Sequence, residues 1–379
     1  MANIVLTAEN FAFGPIGKLL DVVEVLKEYD HNLTFAGYGT SLQLAKNYPF
    51  NEIIEIDTDD SKNKSKLEAI NAKADLLISS MDIPSIIAAQ KVGVRTVWID
   101  CLFWFWDSIP EPVLNVDLYI KESLMNEKAN SEKYLTKIKN LLTVGPIIGK
   151  MSGGNRRKQV LISYGGAEAP YWYKVGRDTN YPLLMTSILL RSVDWSRFDK
   201  VVVATSERIA KGLSKKFTQT PFEFQCLPHD KFLENLSHSQ IIIITPGLVT
   251  AELSFESGTP TIFLPPSNNS QYLQLDQFIE LGLAPAHAHL SDFMPKLELS
   301  GVPLRDSTKM VLKQLREFEQ SIEAQKKVGE RINKLIESRL EWSPGFISKA
   351  REFIDSLGGN GVFSAVAKIN ELAFINERH

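Results

Sequence analysis

Two cysteines, Cys101 and Cys226, are too few and too far apart for a disulfide framework or a cysteine-based zinc site. No apolar run reaches the roughly 18–20 residues of a membrane span, which excludes stable membrane insertion by a helix. The opening MANIVLTAEN reads as a strand. A dominant charge is lacking too: 42 Lys+Arg against 45 Asp+Glu leave a net charge of −3, so nothing electrostatic favours a nucleic-acid polymer as partner. Apolar residues make up 44% and charged residues 23%, the balance of an ordinary buried core and not of a disordered chain. What remains is a cytoplasmic globular protein, long enough at 379 residues for two domains.

The patterning is that of an α/β chain. Short apolar runs at Ile4–Thr7, Leu33–Ala36, Glu52–Ile56, Leu76–Ser79, Thr96–Ile99 and Leu118–Ile120 alternate with amphipathic segments such as Lys18–Tyr29. That alternation predicts βαβ units and a parallel sheet. It closes at Val144-Gly145-Pro146 and restarts at Val160–Ser163, Val201–Ala204, Phe222–Cys226, Ile241–Thr245 and Thr261–Phe263. The expected domains are 1–150, a Gly-rich basic linker 151–158, a second α/β domain 159–345, and C-terminal helices 346–379 packing across a cleft between the two. Residues 307–340 carry an apolar 4-3-4 stripe (Val311, Leu315, Phe318, Ile322), which reads either as a homodimer helix or as a helical hairpin packed on its own domain.

Residues 245–271, TPGLVTAELSFESGTPTIFLPPSNNSQ, are the most informative stretch. A β-branched run ends in Pro246-Gly247, and a helix is expected from Leu248 until Gly258-Thr259-Pro260 breaks it. A short strand, Thr261–Leu264, then leads into a polar loop. Strand ends followed by helix N-termini place backbone N–H groups where anions collect. Upstream, Gly165-Gly166 follows the first strand of the second half, and Gly allows backbone to approach phosphate closely.

This arrangement resembles the donor site of GT-B glycosyltransferases, as in the MurG-like and plant-type UDP-sugar transferases. The resemblance implies two Rossmann-like domains with parallel sheets facing across a cleft, a nucleotide-sugar donor in the C-terminal half and a small-molecule acceptor in the N-terminal half. In its terms Gly165, Gly166, Gly247 and Leu248 meet the diphosphate, with Thr250 adding a hydroxyl. His229 and Phe232 meet the base, Glu252 the ribose hydroxyls, and Asn269, Ser270 and Gln271 the sugar. Glu252 stands one residue off the usual spacing from Gly258, with Glu256 as the fallback. Arg156, Arg157 or Lys18 would assist if the linker folds over the cleft. No metal or other cofactor is implied.

The first half holds the acceptor candidates. Gly14-Pro15-Ile16-Gly17-Lys18 is not a Walker A loop, since Ala12 replaces the first Gly and Leu19 the Mg²⁺-binding hydroxyl. It is either a plain strand–helix turn or the acceptor-side loop. Relatives often carry a catalytic His where Ala12 stands, so the base falls to a carboxylate, Glu9 or Asp107, with Asn10 nearby. Asp57-Thr58-Asp59 matches a metal-binding D-x-D pattern but opens a polar run and reads as a solvated strand exit. The string from Asp100 to Pro110, DCLFWFWDSIP, is either an aromatic plug at a hinge or an acceptor platform, with Trp104 and Trp106 stacking and Asp100 or Asp107 binding a polar edge. That string, GPIGK and LPPSNNSQ also resemble cytosylglucuronic acid synthases of antibiotic pathways, which implies UDP-glucuronate as donor and cytosine as acceptor. Rival readings on the same scaffold are a sugar-nucleotide epimerase or hydrolase, and a non-catalytic partner protein.

Overall fold

A computed structural model describes residues 1–124, 127–151, 153–165, 167–168 and 180–374. The chain forms two compact units, residues 1–150 with 354–379 and residues 151–353. Each is doubly wound around an all-parallel sheet.

In unit 1 the strands are β1 (Asn3–Ala8), β2 (Asn32–Gly37), β3 (Glu52–Glu55), β4 (Leu76–Ser80), β5 (Arg95–Asp100), β6 (Leu118–Glu122) and β7 (Leu141–Val144), in the order β3-β2-β1-β4-β5-β6-β7. The chain works outward from β1 in one direction and then restarts on its other side at β4, with Thr7 opposite Ser79. The switch point therefore lies between the ends of β1 and β4. Period-2 burial sorts the side chains. Ile4, Leu6 and Ala8 face α1 (Gly14–Leu26), α2 (Gly39–Ala45) and the C-terminal helix Val362–Ala373; Val5 and Leu77 face α3 (Lys64–Asn71), α4 (Ile83–Lys91), α5 (Glu111–Leu114) and α6 (Lys128–Tyr134). Strand β7 lies outside the expected set. It is an edge strand with half its side chains in solvent, so its apolar signal is weak.

In unit 2 the five expected strands form within three residues of the predicted bounds: β8 (Arg157–Ser163), β9 (Lys200–Ala204), β10 (Phe222–Gln225), β11 (Ser239–Ile244) and β12 (Thr261–Phe263), ordered β10-β9-β8-β11-β12. Here the switch point lies between β8 and β11. The helices are α7 (Tyr181–Ser192), α8 (Glu207–Lys216), α9 (His229–His238), α10 (Leu248–Ser257), α11 (Asn269–Glu280), α12 (Leu304–Gln320), α13 (Ile322–Glu337) and α14 (Arg339–Ser356); Val362–Ala373 of unit 1 is α15. Ile241 and Ile243 of β11 point into the core shared with α7, α8 and α13. On the opposite face Phe255 packs among Phe263, Phe278, Phe346 and Phe353.

The stripe in 307–340 is used inside unit 2. Phe318, Val328 and Ile332 are buried in its main core and Val311 in a smaller one with Tyr272, while Ile322 stands in solvent. These positions pack within unit 2, as a helical hairpin laid on its own domain does. Among the described residues no helix is long and apolar enough to cross a membrane.

Candidate active site

The rim of unit 2 gathers several of the expected residues at its switch point. Helix α10 begins at Gly247 with no side-chain cap and no acidic residue in its first turn, and its ladder starts with Ala251 N donating to Gly247 O at 3.0 Å. The helix dipole and the leading amides make this an anion-favouring end. Its far end is closed by Gly258, whose φ of +60° is the left-handed conformation that favours glycine. Around the start of α10 stand Gly165, after β8, and Gln271, in the first turn of α11. Gly165 O accepts from Thr245 Oγ1 at 2.9 Å and from Gln271 Nε2 at 2.9 Å. A methyl group built on Gly165 would lie 3.5 Å from Thr245 Oγ1 and 4.0 Å from Thr250 Oγ1; one on Gly247 would lie 3.8 Å from Gln271 Nε2. Gly165, Gly247, Thr250 and Gln271, from the loop after β8 and the starts of α10 and α11, thus come together in one place.

Other expected donor residues are placed differently. Asn269 is buried and donates to Ser307 Oγ of α12 at 2.9 Å, so it braces two helices. Asn268, which sequence reasoning missed, caps α11 by accepting from Gln271 N at 2.9 Å and Ser270 Oγ at 2.8 Å. The Asn-x-x-Gln spacing of a capping box was its signal. Leu248 is buried, and Glu252 sits within α10 at 1% exposure. His229 and Phe232 lie on the first turn of α9, half-buried. Gly166 lies outside the described residues. The arginines belong elsewhere: Arg157 opens β8 at the end opposite Gly165. Arg156 donates to Ser257 O at 3.0 Å, Gly258 O at 2.8 Å and Thr259 Oγ1 at 2.6 Å, clamping the C-terminus of α10.

In unit 1 the strand ends also carry the polar side chains. Glu9 is half-buried just after β1, its N–H held by Ser80 O at 3.0 Å. Asn10 Oδ1 accepts from Thr40 N and Thr40 Oγ1, each at 2.8 Å, so it ties the first loop to α2. Gly39 must be glycine beside it, since its φ is +58° and a Cβ would press on Asn10 at 2.3 Å. Ala12 (φ 51°) and Met81 (φ 66°) are the non-glycine residues with positive φ among those described. They occupy the two loops flanking the switch point, at roughly 1–2 kcal/mol each. Gly14 starts α1, but Gly17 is inside that helix, buried, with its N–H on Phe13 O at 2.9 Å.

Lys18 is turned inward. Its Nζ lies 2.7 Å from Glu122 Oε1 and 2.8 Å from Ile147 O, and the two side chains are 1% and 0% exposed. Burial pushes the Glu122 carboxyl up while Lys18 opposes that shift. This lysine is a structural counter-ion.

The aromatic string is organised by Asp100. Its carboxylate, at 0% exposure, accepts from Leu102 N at 2.7 Å, Trp106 Nε1 at 2.9 Å and the Tyr119 hydroxyl. Asn130 holds Phe103 O at 2.6 Å and Trp106 O at 3.1 Å from α6. The result buries Phe103 and leaves Trp104, Phe105 and Trp106 half-exposed after β5, with the Trp104 and Phe105 rings 5.1 Å apart. Asp100 therefore holds the aromatic turn from beneath and does not present a polar edge. Asp107 is exposed, and its carbonyl accepts from Lys133 Nζ at 2.8 Å. Asp57 Oδ1 accepts from Asp59 N at 3.0 Å and Asp60 N at 3.2 Å, and Tyr38 donates to Asp59 at 2.8 Å.

Burial raises the carboxyls of Asp82 and Asp100, each to about 6. Their unfolded value is near 4, so the folded state holds more protons and stability is lost as pH rises from about 4 through 6. Asp82 caps α4, accepting from Ser85 Oγ at 2.7 Å, and Asn caps as well as Asp. Asp82→Asn is expected to flatten this slope and add about 2 kcal/mol at pH 7. Thermal unfolding from pH 4.5 to 7.5 measures it, and an unchanged slope would refute the assignment.

No family model and no curated protein matches the sequence. Solved structures do match in fold. MurG of Acinetobacter baumannii is 12% identical, with 98% of this chain and 100% of that chain aligned at a TM-score of 0.54. The spinosyn rhamnosyltransferase SpnG is 12% identical over 98% and 99% at 0.52. A UDP-N-acetylglucosamine 2-epimerase described as putative, from Listeria monocytogenes, is 11% identical over 90% and 96% at 0.50. At such identities the likeness is one of fold: the chain has the GT-B fold.

Proposed function

We propose that this chain is a glycosyltransferase that moves a sugar from a nucleotide diphosphate donor, UDP-linked, to a small planar acceptor, with inversion and without a metal. The convergence of Gly165, Gly247, Thr250 and Gln271 on the uncapped start of α10 carries the reading. Amides and a helix dipole suit the charge that grows on a departing diphosphate. On unit 1 the half-exposed turn of Trp104, Phe105 and Trp106 suits a flat ring. Glu9, at the switch point, is the proposed base, with Asp107 as the alternative. Cys101 and Cys226 are not disulfide-bonded, which agrees with a cytoplasmic setting. The finer reading, UDP-glucuronate with cytosine in natural-product biosynthesis, draws only on three short strings.

Calorimetric titration with UDP and a panel of UDP-sugars, followed by product analysis with and without cytosine and phenolic acceptors, tests this. Donor binding and an acceptor-dependent glycoside, insensitive to EDTA, are expected. Free sugar or an epimer formed without acceptor would transfer the reading to a hydrolase or epimerase. A non-catalytic partner is favoured by one observation: the position where relatives carry a His is an Ala held at positive φ. Binding without turnover on any acceptor would decide for it.

A further inference from the structure

Gln271 is not placed as a reader of sugar hydroxyls would be. Both ends of its carboxamide are engaged: Oε1 accepts from Ser267 N at 2.8 Å, and Nε2 donates to Gly165 O at 2.9 Å. Its own N–H is held by Asn268 Oδ1 at 2.9 Å, so backbone and side chain are both fixed. The Gly165 carbonyl takes a second donor, Thr245 Oγ1, at 2.9 Å. Loops following β8, β11 and β12 are therefore laced together through one side chain and one carbonyl.

The physical consequence concerns that carbonyl. Glycine rotates its peptide at little cost, and a carbonyl oxygen swung toward an anion would oppose the amides that attract it. A carbonyl has two lone pairs, and here both are taken, by Thr245 and Gln271. With both positions filled, the oxygen is not free to turn toward an anion at the start of α10.

We propose that Gln271 is a positioning residue for the diphosphate-binding edge, acting through Gly165, and that Thr245 is its partner in the same task. This rests on unit 2 being the nucleotide-sugar site. Two variants of the full chain test it: Gln271→Met, which loses both side-chain bonds, and Thr245→Val, which removes the other donor at nearly the same volume. Each is titrated with UDP, UDP-glucose, UDP-galactose and UDP-N-acetylglucosamine. Each single variant is expected to weaken all four ligands, UDP included, by a common factor of about 10. The order of preference among the sugars is retained. The double variant should lose less than the product of the singles, because both act on one carbonyl. Unchanged UDP affinity with an altered sugar preference overturns the proposal and makes Gln271 a sugar reader, while the donor site stands. Independent, multiplying losses overturn it equally. If the unaltered protein binds none of the four, the donor-site reading itself falls. Thr245→Val carries the test alone should Gln271→Met fail to fold.

Discussion

Lys18→Met is expected to lower stability by about 3–5 kcal/mol at pH 7, because it strands a carboxylate in the interior of unit 1. Glu122 is fully buried, and its Oε1 receives both Lys18 Nζ and the N–H of Ile147. Taking away the cation leaves only the Ile147 N–H to offset the cost of desolvation. Burial already pushes this carboxyl up, so the orphaned group would take a proton, and the loss should shrink as pH falls toward 5. The double variant Lys18→Met with Glu122→Gln should recover most of the loss. It leaves no buried charge and keeps an acceptor for Ile147 N. Urea unfolding of the three proteins measures this. A single variant within about 1 kcal/mol of the parent would mean that water reaches the pair and that the ion pair is not a pillar of the fold.

The same lysine shows what could and could not be read from the chain. GPIGK was legible as something other than a phosphate loop from its residue types alone, because Ala12 and Leu19 break the pattern. That its lysine turns into the protein was not legible, since the partner is 104 residues away on β6. The parallel sheets were legible because their strands are short β-branched runs buried on both faces, as Ile241–Ile244 is. The bounds of α10 were legible because Pro246-Gly247 and Gly258-Thr259-Pro260 act through local backbone chemistry. Hidden instead were features decided by distant neighbours. Asp100 reads as a ligand-binding carboxylate beside aromatics, yet three donors from its own loop and from β6 absorb it. Asn269 looks like the first of a sugar-binding trio, yet the helical face it falls on meets Ser307. The return of the C-terminal helix to unit 1 depends on glycines. A Cβ on Gly145 would lie 1.9 Å from Gly359 O, and one on Gly361 2.1 Å from Gly145 O. No periodicity announces such an approach.

Gly247→Val should do the opposite of the lysine substitution: leave the fold nearly intact and remove the ligand. At φ −81° and ψ 137° the backbone of Gly247 suits a β-branched residue, so no conformational strain is introduced. The helix loses about 1 kcal/mol of capping preference, and little else changes in the free protein. A new Cβ would meet only Gln271 Nε2 within 4 Å, at 3.8 Å. The two branching methyls add bulk at the residue that caps the start of α10. A diphosphate approaching the leading amides there would collide with the methyls and could not reach hydrogen-bonding distance. UDP affinity is expected to fall about 100-fold, equivalent to about 2.7 kcal/mol. Gly247→Ala, one methyl in place of three carbons, should cost about 10-fold. Titration of both variants beside their unfolding curves separates lost binding from lost structure. A valine variant that binds UDP as the parent does would show that the nucleotide does not sit at the start of α10, and the site would have to be sought elsewhere in the chain.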